Sequence, residues 1–161
     1  MNPSNTAETD FPSEFLTIDQ LTVDQLDALL DRAAAVKAGK DLGRLQDLTV
    51  AMLFEKPSTR TRASFESGVV ELGAHPTFLG PEEIHLGHGE PLKDTARALS
   101  QYVDAIVARV FDHEDLAELG AYADVPVVNA LTDTAHPCQT LADLLTIRER
   151  VGDLSEVSVT W

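Results

Sequence analysis

Residues 53–66 read Leu-Phe-Glu-Lys-Pro-Ser-Thr-Arg-Thr-Arg-Ala-Ser-Phe-Glu and mark a change from strand to helix. The apolar run over residues 48–54 predicts a buried strand, whereas apolar residues recur at helical spacing from Phe65 onward. Pro57 ends the strand, and Ser58 suits a helix start because its hydroxyl can accept a bond from a backbone N–H of the first turn. The stretch therefore predicts a strand, a turn and a helix.

The start of this helix offers donors to an anion. The first backbone N–H groups of a helix have no partner within it and carry the positive end of the helix dipole. In the same turn, Ser58, Thr59 and Thr61 add hydroxyl groups, and Arg60 adds a guanidinium. Plain helix capping is the alternative, and it accounts for Ser58 alone. The sequence has no Walker glycine pattern, so a nucleoside triphosphate is not indicated.

Strand and helix patterns alternate along the rest of the chain. Strands are predicted at residues 48–54, 76–79, 105–110 and 125–130, and helices start near Thr22, Ser58, Pro91, Asp112 and Pro137. Near-continuous apolar strands separated by helices indicate a parallel sheet that is covered on both faces. We therefore predict an α/β fold: a parallel four-stranded sheet with helices on both faces, in three layers. Ligands of such sheets bind at the carboxyl ends of the strands, where residues 58–61, Arg109 and residues 136–139 all fall.

Arg109 and His136 are the other candidate functional residues at these strand ends. Arg109 follows the apolar residues of its strand and would be costly to bury alone, so its partner is either a carboxylate or a ligand oxygen. His136 lies at a helix start, where the dipole favours the neutral imidazole, and it either caps the helix or donates to a developing oxyanion. Gln139, three residues later, can donate and accept, which suits an amide-like group.

Cys138 is the single cysteine of the chain, so no internal disulfide can form. We interpret Cys138 as a small packed residue rather than a nucleophile. His85 and His88 lie in a long glycine-rich loop, residues 80–89, but their spacing, with no cysteine nearby, does not favour a metal site. We therefore expect neither a metal nor a cofactor.

Acidic residues dominate the composition, with 27 Asp and Glu against 12 Lys and Arg and a formal charge of −15. This charge would repel nucleic acids and anionic membranes, so we expect neither as a partner. No N-terminal apolar segment resembles a signal peptide or a membrane span, which favours a cytoplasmic protein. A lysine-poor acidic surface also suits a salt-rich cytoplasm, where self-repulsion is screened, and we hypothesise that the protein is halophilic.

Several segments taken together resemble the first domain of the carbamoyltransferases. They are Phe54–Arg62, Gly87–Glu90 followed by Lys93–Thr95, Asp104–Arg109 and His136–Gln139. The resemblance covers residues 16–151 in the order that the family has them. Within the family it is nearest to the ornithine-specific branch, because Lys56-Pro57 precedes the Ser-Thr-Arg-Thr run and Asn129–Asp133 precedes the His-Pro motif.

The resemblance implies that the carbamoyl group of carbamoyl phosphate passes to the side-chain amine of L-ornithine. It implies three catalytic residues: Thr61, Arg109 and His136, which would donate to the carbonyl oxygen as it becomes tetrahedral. It also implies that Gln139 holds the carbamoyl nitrogen. The carbamoyl phosphate site as a whole would then consist of Ser58, Thr59, Arg60, Thr61, His85, Arg109, His136, Pro137, Cys138 and Gln139.

The resemblance also implies how the domain is assembled. Family members form trimers, or multiples of trimers, in which the long loop reaches a neighbouring subunit, so His85 would contact the phosphate bound next door. We expect residues 1–15 to form a flexible tail, residues 16–151 to bind carbamoyl phosphate, and residues 152–161 to form a hinge and the first strand of a missing second domain that binds L-ornithine. Two alternatives stay open: a non-catalytic phosphate-binding or assembly module, and a carbamoyltransferase specific for aspartate or putrescine.

Overall fold

Strands and helices alternate along the chain, as the sequence predicts. The structure, a computed structural model, describes residues 11–40, 45–83 and 90–160. Its strands are β1 (Glu14–Phe15), β2 (Thr49–Phe54), β3 (His75–Leu79), β4 (Ala105–Arg109) and β5 (Val127–Leu131). Its helices are α1 (Val23–Lys37), α2 (Thr59–Glu71), α3 (Leu92–Leu99), α4 (His113–Tyr122) and α5 (Pro137–Arg150), with single 3-10 turns at Ile18–Gln20 and Leu154–Glu156.

All five strands are parallel and lie in the order β1-β5-β4-β2-β3. Strand β4 lies between β2 and β5, and its last residue, Arg109, is in register with Phe54 of β2. On the other side, the pairing changes from Ala108–Asn129 to Arg109–Leu131, a shift of one residue. The carboxyl ends of β2, β4 and β5 therefore meet at one edge of the sheet. The segments that follow these three strands are the ones that carry the predicted site.

The two faces of the sheet are both buried. On one face, Ala51 and Leu53 of β2 pack with residues of α3 and α4, whereas Val50, Met52 and Phe54 pack on the other face with Val69 of α2 and its neighbours. Alternate residues of one strand thus enter two separate cores, which requires apolar residues at every position. The prediction of a three-layer α/β fold is confirmed.

Local sequence signals fix the ends of the helices. At the start of α1, Gln25 N–H donates to Thr22 Oγ1 (3.2 Å) and Thr22 N–H donates to Gln25 Oε1 (2.7 Å), which satisfies two backbone donors reciprocally. At the start of α4, Asp112 Oδ1 accepts from Glu114 N–H at 2.9 Å. Pro137 is the first residue of α5, where its missing N–H costs nothing. The predicted helix starts at these positions are confirmed.

The number of strands is the main correction to the sequence-based prediction. Strand β1 pairs with the edge of β5 and raises the count from four to five, and it lies in a segment that we assigned to the tail. A strand of two residues is too short to give a recognisable hydrophobic pattern. Residues 1–10 of that tail lie outside the described residues. Residues 157–160, predicted to begin another strand, pair with no strand in the described part of the chain.

None of these helices, within the described ranges, combines the length and the apolar composition that crossing a membrane requires.

Candidate functional site

The start of α2 presents free donors at the carboxyl edge of the sheet. Ser58 is the N-cap residue, with an extended backbone, but its side chain makes no capping hydrogen bond. The helical hydrogen bonds begin with Arg62 N–H, which donates to Ser58 O at 3.1 Å. The N–H groups of the preceding residues therefore point out of the helix end, beside the hydroxyls of Ser58 and Thr59. Plain capping does not explain Ser58, so the anion interpretation is the stronger one.

Two arginines of α2 have different environments. Arg62 lies over the ring of Phe78, 3.6 Å from its centroid, and its Nε donates to Glu66 Oε1 at 3.0 Å. Arg60 is exposed and makes no hydrogen bond or ion pair with any residue that the structure describes. Because the side chain of Arg62 is held by packing and pairing, Arg60 is the arginine of this turn that can meet an anion.

Arg109 connects the start of α2 to strand β4. Its Nη1 donates to Thr61 Oγ1 at 3.2 Å, while its Nε is buried and has no partner among the described residues. The sequence predicts either a carboxylate or a ligand oxygen as the partner of Arg109. In the described part of the chain, no carboxylate pairs with it. Since the guanidinium is half-buried and its partner among the described residues is a hydroxyl, it still has donors and a charge to satisfy. This arrangement favours an anionic or carbonyl ligand at the same place.

His136 faces the same site from α5, of which it is the N-cap residue. Burial of the imidazole, and then the positive charge of Arg109, lower the pKa of His136, and Asp143 acts weakly in the opposite direction. The effect of Arg109 means that the guanidinium and the imidazole lie within electrostatic reach of each other. The lowered pKa keeps the imidazole neutral near pH 7. His136 Nδ1 is buried and has no partner among the described residues.

The residues that follow His136 divide into packed and accessible positions. Pro137 is buried, and the thiol of Cys138 lies 3.5 Å from Asn129 O, to which it can donate. Burial raises the pKa of Cys138 to about 11, so the nucleophilic thiolate is rare at pH 7 and the interpretation as a packed residue stands. Gln139 is exposed, and its Nε2 donates to Asp143 Oδ1 at 2.9 Å.

A buried polar network that the sequence analysis missed holds the turn before His136. Asn129 is fully buried in β5, and its Nδ2 donates to Leu16 O (2.8 Å) and Ala135 O (3.3 Å). Thr132 Oγ1 accepts from Ala135 N–H at 3.2 Å and lies 3.0 Å from His113 Nδ1. An asparagine inside the apolar run Val-Val-Asn-Ala-Leu is the signal that could have revealed it, because a buried amide needs partners.

Glu55 and Lys56 connect the ends of β2 and β4. Glu55 Oε2 accepts from Phe111 N–H at 2.7 Å, and Glu55 N–H donates to Arg109 O at 2.9 Å. Lys56 Nζ lies 4.1 Å from the centroid of the Phe111 ring. These contacts hold the backbone that leaves β4 at Arg109 and Phe111. His85, the remaining predicted site residue, lies outside the described residues.

Comparison with known families identifies the same region of the chain. Residues 13–149 match the family described as "Aspartate/ornithine carbamoyltransferase, carbamoyl-P binding domain". The chain is 61% identical over 149 residues to an ornithine carbamoyltransferase of Haloquadratum walsbyi, covering 92% of this chain and 50% of that protein. It is 48% identical over 151 residues to one of Bacillus subtilis, covering 94% of this chain and 47% of that protein.

Solved structures agree with the sequence comparison. An ornithine carbamoyltransferase from Thermus thermophilus has a TM-score of 0.84 at 44% identity, covering 90% of this chain and 51% of that one. The corresponding enzyme from Pyrococcus furiosus has a TM-score of 0.80 at 45% identity, covering 86% and 46%. The chain spans about half the length of the curated relatives that it matches. By its sequence and its fold, the chain belongs to the carbamoyl-phosphate-binding domain family of the aspartate and ornithine carbamoyltransferases.

Proposed function

We propose that this chain forms the carbamoyl-phosphate-binding part of an ornithine carbamoyltransferase, which transfers a carbamoyl group to the side-chain amine of L-ornithine and releases L-citrulline and phosphate. The observation that carries the proposal is the environment of Arg109. Its guanidinium is half-buried, pairs with the Thr61 hydroxyl instead of a carboxylate, and acts electrostatically on a neutral His136. A small ligand with a phosphate and a carbonyl group satisfies all three side chains.

The phosphate is proposed to lie against the start of α2. There the outward N–H groups, the Ser58 and Thr59 hydroxyls and the exposed Arg60 supply donors of the kind that phosphate prefers. Arg109 lies between this point and His136 and can donate to both ends of the ligand. The net charge of −15 makes this local concentration of positive groups more selective, since an anion is repelled elsewhere.

The proposed reaction is nucleophilic acyl transfer. The ornithine amine attacks the carbonyl carbon, a new C–N bond forms, and the carbonyl oxygen takes up negative charge. When the bond from carbon to the phosphate oxygen breaks, phosphate leaves with the electron pair and takes up the proton that the attacking nitrogen loses. Thr61, Arg109 and His136 are proposed to donate to the carbonyl oxygen as its charge grows. Loss of one such donor typically lowers the rate by about 100 to 1000-fold.

A second domain and a trimer complete the proposal. We propose that residues 16–151 are the carbamoyl-phosphate-binding unit, and that residues 152–161 lead into a domain that binds L-ornithine, because the relatives are about twice as long as this chain. A groove of about 450 Å³ beside Ser58, lined by Pro57, Arg62, Phe78 and others, is where a neighbouring subunit can approach the phosphate. His85 of that subunit is the proposed contact.

Calorimetry with the chain tests the proposed function. We expect carbamoyl phosphate to bind more tightly than inorganic phosphate, and only trace citrulline to form when L-ornithine is added to the chain alone. Equal affinity for the two phosphates would contradict the proposal and favour a non-catalytic phosphate-binding module.

Sedimentation equilibrium on the same preparation is expected to give a trimer, and a monomer at all concentrations would contradict the proposed assembly.

We also propose that the protein works in a salt-rich cytoplasm. Its excess of acidic residues makes the folded state repel itself at low ionic strength, and salt screens this repulsion. The unfolding temperature should therefore rise by at least about 3 °C between 0.1 and 3 M KCl, which corresponds to about 1 kcal/mol. A non-ionic osmolyte at matched osmolality controls for general cosolute exclusion. An unfolding temperature that stays constant or falls with KCl would refute the proposal.

A further inference from the structure

The side-chain amide of Gln139 has a defined orientation. Gln139 lies in the first turn of α5, and its Nε2 donates to Oδ1 of Asp143, one turn later, at 2.9 Å. An ionised carboxylate can only accept hydrogen bonds, so the NH₂ group of the amide must face Asp143. The carbonyl oxygen, Oε1, is then on the opposite side and remains an acceptor. From the sequence alone, Gln139 could have either donated or accepted.

We propose that Asp143 is a positioning residue that turns the Gln139 amide so that Oε1 accepts from the NH₂ of the carbamoyl group. This inference rests on the proposed function. It assigns Asp143 a part in selecting carbamoyl phosphate over acyl phosphates of the same shape. In acetyl phosphate a methyl group replaces the NH₂, and a methyl group offers no donor to Oε1.

The position of Asp143 agrees with this role. Its charge reaches His136, where it opposes the lowering of the imidazole pKa, so the carboxylate lies close to the site. A carboxylate repels phosphate and would not be useful as a phosphate ligand. The donors for phosphate are at the start of α2, whereas Asp143 and Gln139 are on α5, with His136. Asp143 orients Gln139 so that Oε1 is left as an acceptor, and an acceptor suits the NH₂ end of the ligand.

A purely helical role for the pair is the alternative. A Gln–Asp pair at i,i+4 stabilises a helix slightly wherever it occurs on the surface. That role predicts a small change in stability when Asp143 is replaced and no change in ligand preference. The two roles are therefore separated by the ratio of two dissociation constants, for acetyl phosphate and for carbamoyl phosphate.

The test is Asp143→Asn, measured by calorimetry with carbamoyl phosphate and acetyl phosphate. Asparagine has the same shape but both donates and accepts, so the Gln139 amide is free to turn over. Because the amide then has the binding orientation about half of the time, we expect the preference for carbamoyl phosphate to fall by about twofold. Removing a negative charge strengthens binding of both phosphates, and the ratio cancels this effect.

Glu149→Gln is the matched control. It removes the same charge from the same helix, at an exposed residue whose carboxylate pairs with Lys37 (2.7 Å). We expect the wild-type preference to be unchanged in this variant.

A second measurement uses the unmodified chain: in NMR spectra, the Nε2 protons of Gln139 should shift as acid protonates Asp143. Nε2 protons that do not respond to this titration would overturn the proposal without any variant.

The outcomes distinguish the inference from the proposed function. If the wild-type chain binds carbamoyl phosphate no better than inorganic phosphate, the proposed function fails. If the wild-type chain prefers carbamoyl phosphate and Asp143→Asn keeps the same ratio, the proposed function stands and the role of Asp143 is refuted. A reduced ratio in Asp143→Asn, with an unchanged ratio in Glu149→Gln, supports the positioning role.

Discussion

Replacing Arg109 by methionine is expected to weaken binding of carbamoyl phosphate by at least about 100-fold, because each hydrogen bond from a charged donor contributes about 1.5–3 kcal/mol and Arg109 is proposed to make two. Arg109 keeps donating capacity for a ligand, because its Nε has no partner among the described residues, with which its side chain makes one hydrogen bond, from Nη1 to the Thr61 hydroxyl. Calorimetry on the chain measures the change. An affinity within tenfold of wild type would contradict the site.

The same variant separates a functional from a structural arginine. A guanidinium that is half-buried without a carboxylate costs desolvation energy, so Arg109→Met should not lower the unfolding temperature. Removing the charge also removes one of the causes that lower the His136 pKa, so that pKa should rise toward its usual value in an NMR titration. Arg97→Met is the control, since Arg97 is exposed and contacts Asp94 on α3 and the ring of Tyr122 on α4.

The fold follows from the sequence to the extent that it depends on local patterns. Continuous apolar runs reveal β2, β4 and β5 because both faces of these strands are buried, whereas the edge strand β3 gives only a weak signal. Helix starts are recognisable at Thr22, Asp112 and Pro137 because capping is decided by one or two side chains. Strand β1 has no such pattern. Its place depends on the edge of β5, a contact more than 100 residues away in the chain.

The candidate site was partly predictable for the same reason. Ser58, Arg109 and His136 could be assigned to one edge because parallel strands end on the same side of a sheet. Their orientations could not be predicted. The register shift beside Arg109 and the bond from the buried Asn129 amide to Leu16 O depend on segments that are distant in the sequence, whereas the Gln139–Asp143 bond is a local i,i+4 pair that the sequence analysis did not consider. Contacts between distant segments leave little trace in a single sequence.

Two arginines that look equivalent in the sequence provide the second large effect. Arg60→Ala is expected to weaken carbamoyl phosphate binding by about 10- to 100-fold, through loss of one charged donor to the phosphate. Arg62→Ala is expected to change the affinity by less than about threefold, because residues two apart on a helix point in different directions and do not face the same neighbour. Arg62 is directed at Phe78 and Glu66.

The stability of the two variants should show the opposite pattern. Arg62→Ala loses a cation–π contact and an ion pair and should unfold at a slightly lower temperature, whereas Arg60→Ala loses no contact with the described residues and should match wild type. Thermal unfolding and calorimetry on the same two proteins check both expectations. If Arg62→Ala abolishes binding and Arg60→Ala does not, the anion is held by Arg62 beside Phe78, and Arg60 is not its ligand.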